Sequence, residues 1–372
     1  MSDVILAEVT RGWRAKGRRG VESVHRGSVV VADVGGRIVA SVGGDRRLFL
    51  RSSAKPFQAL APVVAGAVDH FGFGSREMAL FSASHSGERV HVEVARSILA
   101  RLGLAYSDLE CGVHAPVHTP TLKALYRSGG EPITLHNNCS GKHLGMLTLA
   151  RFRGSTVGSA TSSSRQAHGP ELVEGRGWPI VGYVERDHPV QQEIFRILGA
   201  LLARDPTGIP FGTDGCGVPT PFLRQSEQAR LFALLGNPEA APEEFRSGLA
   251  RIAQAMTAYP ELVAGTGRLN TQLLRAAGDG VVAKTGAEGS IGVGLRGRGL
   301  GISIKVADGN SRALGPVLAE TLRGLGLLSG EKGDEFCRAY SPAPVTNARG
   351  ERVGEIRAAR RTVNALLKQL RG

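Results

Sequence analysis

Residues 51–58 read Arg51-Ser52-Ser53-Ala54-Lys55-Pro56-Phe57-Gln58. Residues three apart at the start of a helix share a face, so the Lys55 amine is expected to reach the Ser52 hydroxyl. A desolvated neutral amine accepts a serine proton, and a helix N-terminus favours developing negative charge. Pro56 is tolerated in a first turn, and the pattern predicts a helix over Lys55–Ala65. Taken alone, S-x-x-K equally describes an N-capping serine followed by a surface lysine.

Far downstream, Lys284-Thr285-Gly286 closes the apolar run Val281-Val282-Ala283. S-x-x-K early and K-T-G late on a strand is similar to the pairing of serine β-lactamases and penicillin-binding enzymes. Their middle element, S-D-N, is absent. In its place stands Ser82-Ala83-Ser84-His85-Ser86-Gly87-Glu88, hydroxyls gathered around an imidazole. Any one of these hydroxyls fits a turn or a cap, but the three elements together point to a Ser–Lys acyl-transfer site. The usage of basic residues agrees, since 38 are Arg and only 8 are Lys. Where Arg serves as the general cation, a retained Lys suggests a task Arg cannot perform, such as giving up its proton. Lys55, Lys142 and Lys284 lie inside the densest motifs.

Two further loops are dense in functional side chains. Asn137-Asn138-Cys139-Ser140-Gly141-Lys142-His143 runs into a predicted helix, and Gly212-Thr213-Asp214-Gly215-Cys216-Gly217 holds an acid and a thiol. Two cysteines fall short of the usual four zinc ligands, and residue type alone favours buried inert thiols. Cys111, His114 and His118 resemble a metal cluster, but Pro116 stops a helix from aligning the two imidazoles.

The surrounding pattern is β at the start, with strands over Val4–Val9, Ser28–Ala32 and Arg37–Val42. Helices follow over Arg89–Leu102, Lys142–Phe152, Pro189–Leu202, Ser226–Leu235, Pro242–Ala258, Arg268–Ala277 and Asn310–Leu325, and again from Ile356. Strands return at Gly280–Lys284, Ser290–Arg296 and Gly301–Val306. The expected class is α/β of the α+β type, a mixed, largely antiparallel sheet packed by helices plus a helical region. The 372 residues are read as a single catalytic domain with a surface insertion at Ser155–Gly177, which is polar and lacks periodicity.

Composition excludes several classes. With 42% hydrophobic and 21% charged residues the chain is globular, and four scattered cysteines make no disulfide framework. No apolar run is long enough to span a membrane, and the N-terminus does not read as a secretory signal, so the expectation is cytoplasmic. The net charge of +13 is spread along the chain; only Glu351–Arg371 is concentrated, with six basic residues against two acidic. No zinc-finger spacing or phosphate loop accompanies it, so no nucleic-acid or membrane partner is expected.

The combination resembles the L-asparaginase II family, the rhizobial-type class 3 amidohydrolases related in fold to serine β-lactamases and glutaminases. The matching stretches are Arg51–Gln58, Ala83–Glu88, Asn138–His143, Gly212–Pro221, Lys284–Ala287 and Gly301–Asn310. The resemblance implies hydrolysis of L-asparagine to L-aspartate and ammonia by a homodimer. It implies two Ser–Lys tandems, Ser52 with Lys55 and Ser84 with Lys284, whose roles sequence leaves exchangeable. It implies zinc on Cys139, Lys142 and Cys216, tuning affinity rather than supplying the nucleophile, and a substrate pocket lined by Arg51, His143 and Asp214. Asn270 stands where a rhizobial relative carries another cysteine. The rival readings are a β-lactamase or D,D-peptidase-like hydrolase, from S-x-x-K with K-T-G, and a nucleic-acid-binding protein on the same fold, from +13.

Overall fold

The structure is a computed structural model and describes residues 3–12, 19–157 and 177–371. Its strands are β1 (Val4–Gly12), β2 (Arg19–Asp33), β3 (Ile38–Val42), β4 (Arg47–Phe49), β5 (Phe211–Thr213), β6 (Pro219–Arg224), β7 (Val281–Gly286), β8 (Ser290–Leu295), β9 (Leu300–Val306), β10 (Ala343–Thr346) and β11 (Arg352–Ala358). The large sheet runs β10-β11-β1-β2-β9-β8-β7, and β4-β6-β5 form a small one. Every pairing among them is antiparallel. The long β2 pairs β1 through Arg19–Gly27 and β3 through Val29–Ala32, so the predicted strands on either side of Asp33–Gly36 form a hairpin.

The helices are α1 (Lys55–Val64), α2 (Ala67–His70), α3 (Ser75–Phe81), α4 (Arg89–Leu102), α5 (Thr119–Arg127), α6 (Ser140–Val157), α7 (Pro189–Leu202), α8 (Gln225–Gly236), α9 (Glu243–Ala258), α10 (Pro260–Val263), α11 (Leu269–Ala277), α12 (Leu314–Gly324), α13 (Gly330–Tyr340) and α14 (Arg360–Arg371). In α4 the buried set His91, Val94, Ala95, Ile98, Leu99 and Leu102 repeats at three and four residues, the stripe of a helix with one apolar face. Gly103 then turns left-handed at φ 65° and its N–H bonds back to Ala100 and Leu99, which ends the helix. Each fully buried Leu or Ile on that face contributes about 1.5–3 kcal/mol of burial energy.

The sheet separates two apolar cores. One joins it to α1, α3, α4, α6, α7, α8 and α9; the other joins it to α11, α12, α13 and α14. Helix α8 lies so close on β8 that a Cβ at Gly292 would come within 2.1 Å of Phe232. The expected class, an antiparallel sheet packed by helices with a helical region beside it, is the one observed.

The C-terminal expectation needs correction. Ile356–Ala358 are strand, and helix begins only at Arg360. The edge of β1 offers paired hydrogen bonds, with Val9 opposite Ile356 and Ala7 opposite Ala358, and these outweigh helical pattern. Helix α6 starts before the predicted Lys142 and runs through Val157. Of the stretch read as an insertion, 158–176 lies outside the described residues.

Candidate active site

The turn that leads into α1, the end of β7 and the loops at 82–88 and 137–139 converge on a cavity of about 440 Å³, lined among others by Ser52, Ser84, Asn138, Asn270 and Thr285. A 3₁₀ turn over Arg51–Ala54 precedes α1. Arg51 sits at φ 48°, a left-handed conformation that L side chains rarely adopt and that often marks functional turns. Gly286 lets β7 end against this turn: a Cβ there would meet Leu50 O at 2.8 Å.

Lys55 and Lys284 are both 0% exposed. Lys55 Nζ donates to Ser84 Oγ at 2.9 Å, to Asn138 O at 3.3 Å and to Cys139 Sγ at 3.2 Å. Lys284 Nζ lies 3.0 Å from the same Ser84 Oγ and donates to Thr285 O at 3.0 Å. Burial above all, then the charge of Lys55, with Arg268 adding, holds the Lys284 amine well below its ordinary value against the opposite pull of Cys139. Ser84 thus sits between two amines. Its backbone N–H is pinned to Val263 O at 2.9 Å.

The Lys55-to-Ser52 hydrogen bond expected from the spacing does not form among the described residues. Lys55 turns to Ser84 instead, and the Ser52 hydroxyl lines the cavity with no hydrogen bond among the described residues. Asn270 serves the backbone on both sides of Lys284, donating to Ala283 O at 3.1 Å and accepting from Thr285 N at 2.9 Å. That clamp fixes where the Lys284 stem leaves β7.

Arg51 and Asp214 are brought together, with each other. Arg51 Nε meets Asp214 Oδ1 at 2.6 Å, and Gly215 N donates to the same oxygen at 2.8 Å. Burial alone would raise the Asp214 carboxyl, but Lys142, Arg51 and the Gly215 N–H together hold it below the ordinary carboxylate value. His143 is fully buried; its Nδ1 lies 2.8 Å from the Tyr183 hydroxyl, and its Nε2 has no hydrogen-bond partner among the described residues. Burial, then Lys142 and Lys55, holds the His143 imidazole well below its ordinary value. None of these three side chains lines the cavity that Ser52 and Ser84 share.

Cys139, Lys142 and Cys216 also converge. Lys142 Nζ donates to Cys216 Sγ at 2.8 Å, Lys55 Nζ donates to Cys139 Sγ, and each thiol shifts the other's ionisation. The contact with Cys216 and the nearby Lys55 and Lys142 hold the Cys139 thiol well below its ordinary value despite burial. Burial opposes the charge on Lys142, but Cys139, Cys216 and Asp214 outweigh it and raise the amine. Among the described residues no group of three His, Cys, Asp or Glu side chains is placed to hold a metal. The two sulfurs and one amine are nonetheless buried together and are a donor set of the softness zinc takes.

A family comparison matches residues 9–168 and 171–358 to L-asparaginase II. The chain belongs to the L-asparaginase II family. No curated protein matches it. Among solved structures it overlaps Mglu in its native form at 14% identity, with a TM-score of 0.35, covering 80% of this chain and 64% of that one. Mglu in its tris and glutamate form overlaps at 15% identity and a TM-score of 0.38, covering 82% of this chain and 60% of that one. The chain therefore spans less than two thirds of the length of these two structures, and an overlap this loose bears on nothing further. Among the described residues no helix is long and apolar enough to cross a membrane.

The L-asparaginase II cavity also contains side chains that the motifs did not single out. Arg268, Glu288 and Tyr340 line it, from the loop before α11, the β7–β8 turn and the end of α13. Arg268 was visible only as the first residue of a predicted helix, and Glu288 only as the residue after Lys284–Ala287. The signal that finds Glu288 is a charged residue held at φ 57° where glycine is usual.

Proposed function

We propose that this cavity hydrolyses the side-chain amide of L-asparagine to L-aspartate and ammonia by acyl transfer through serine. One observation carries the reading: a serine hydroxyl, Ser84, held between two fully buried lysine amines, with Lys284 kept short of its proton. Ser52 Oγ attacks the amide carbon and a C–O bond forms. The Ser52 proton passes to Lys55 and along Lys55–Ser84–Lys284. The C–N bond then breaks, and the same line returns a proton to the departing ammonia. Water attacks the ester, its C–O bond breaks, and L-aspartate leaves with Ser52 restored. The helix start at Ser52 favours the charge that develops on the carbonyl oxygen.

A second assignment, in which Ser84 attacks directly, is favoured by its 3.0 Å approach to Lys284. The position of the covalent intermediate separates the two, an ester on the Ser52 peptide in the first and on the Ser84 peptide in the second. Zinc belongs to the proposal as a group that Cys139, Lys142 and Cys216 would hold. When bound it would act as a Lewis acid and fix the thiols beside Lys55, leaving the attacking group to serine. The proposed partner is thus a small molecule, and a homodimer is checked by sedimentation.

Ammonia release from L-asparagine, assayed beside a chromogenic β-lactam and a salt-dependent DNA titration, tests the function. Ammonia alone is expected. Turnover of the β-lactam without ammonia, or DNA binding without either, overturns the reading.

A further inference from the structure

The substrate of such a site carries an α-ammonium and an α-carboxylate besides its amide, and each needs an opposite charge at the cavity. The expected partners, Arg51 and Asp214, neutralise one another at 2.6 Å and do not line the cavity. Two other charged side chains do, Arg268 and Glu288, and among the described residues neither makes an ion pair or a side-chain hydrogen bond. The third charged side chain on the wall, Arg312, is engaged by His25, its Nε 2.8 Å from His25 Nε2.

We propose that Arg268 and Glu288 are the binding residues for the free amino-acid end of the substrate, Arg268 taking the α-carboxylate and Glu288 the α-ammonium. The proposal rests on the amidohydrolase reading of the same cavity and assigns its substrate class: zwitterionic amino-acid amides rather than peptides or N-acylated amides.

The fold goes out of its way to present Glu288. It occupies the turn between β7 and β8 at φ 57°, next to Gly289 at φ 64°, so a residue that glycine would relieve of strain keeps a charged side chain. Gly309 makes room for it, since a Cβ there would lie 2.5 Å from Glu288 Oε2. Glu288 also stands four residues from Lys284 on the same hairpin, which ties the ammonium site to the proton-accepting amine. Arg268 lies two residues before Asn270, the clamp on β7, and its charge is felt at Lys284. A guanidinium can grip a carboxylate with two parallel hydrogen bonds, and a carboxylate accepts readily from an ammonium.

The test reads binding apart from turnover. Calorimetry measures L-aspartate, the product, and succinate, which lacks the ammonium, on the wild type, Glu288→Gln and Arg268→Met, with circular dichroism verifying folding. Glu288→Gln should weaken L-aspartate by about tenfold or more and leave succinate unchanged, while Arg268→Met should weaken both by a similar factor. In kinetics with L-asparagine, Glu288→Gln should raise KM with little change in kcat. Folded variants that bind L-aspartate as the wild type does overturn the assignment, as does a wild type that binds neither ligand. A wild type that binds L-aspartate through these residues yet releases no ammonia from L-asparagine upholds the assignment and overturns the amidohydrolase reading alone.

Discussion

Lys284 Nζ stands 3.0 Å from Ser84 Oγ in a site where the lysine has no exposed surface. An amine so placed accepts a proton only if it is neutral, and a guanidinium at the same point stays charged. Lys284→Arg should therefore lose nearly as much activity as Lys284→Ala, by ~10³-fold or more in kcat/KM. Steady-state ammonia release checks this, and an Arg variant with most of its activity would make Lys284 a fixed charge rather than a proton carrier.

The depressed Lys284 value also sets a pH dependence. Activity should rise with pH as the folded-state amine deprotonates, below the ordinary lysine value of 10.5. Stability follows the same sign. Between the folded value and 10.5 the unfolded chain holds more protons, so stability grows with pH across that window. Lys284→Met, relieved of a buried amine, should be inactive yet melt higher than the wild type at neutral pH. Its advantage should shrink as pH approaches 10.5, and thermal melts at several pH values measure this.

Asn270 makes a narrower prediction. Replacing it by Ala leaves Ala283 O and Thr285 N without their partners in a buried setting, which costs about 1–3 kcal/mol per group. Denaturant melts should show that loss, and kcat should fall with it because the Lys284 stem is no longer held. Wild-type kcat in Asn270→Ala would mean that β7 positions the lysine unaided.

The metal proposal is settled by composition. Protein purified without chelator should carry about one zinc per chain, and Cys139→Ser/Cys216→Ser should carry none. Removing the metal should raise KM for L-asparagine more than it lowers kcat. Equal zinc in the wild type and the double variant excludes these donors.

Much of this was legible beforehand where a pattern is local. Helices α4 and α7 have the bounds that their apolar spacing predicts, because periodicity runs unbroken and a left-handed residue ends each. The small sheet escaped notice because β4 and β5 are three residues each, too short for alternation to register. The β11 strand was hidden because its partner, β1, is more than 300 positions away. The same limit applied at the site. S-x-x-K pointed Lys55 at Ser52, whereas tertiary contact with the 82–88 loop turns its amine to Ser84. Arg51 and Asp214 are 163 positions apart, and no local signal says that two candidate substrate ligands will satisfy each other.

The most direct test of the account is to mix the protein with L-asparagine, quench it rapidly and locate any adduct by peptide mass spectrometry, with hydroxylamine present in a parallel reaction. The account predicts an aspartyl ester on the Ser52 peptide, lost in Ser52→Ala, and aspartyl hydroxamate formed at the expense of L-aspartate. Ammonia released with neither a serine adduct nor hydroxamate would mean that water attacks the amide directly, and acyl transfer through Ser52 would be contradicted.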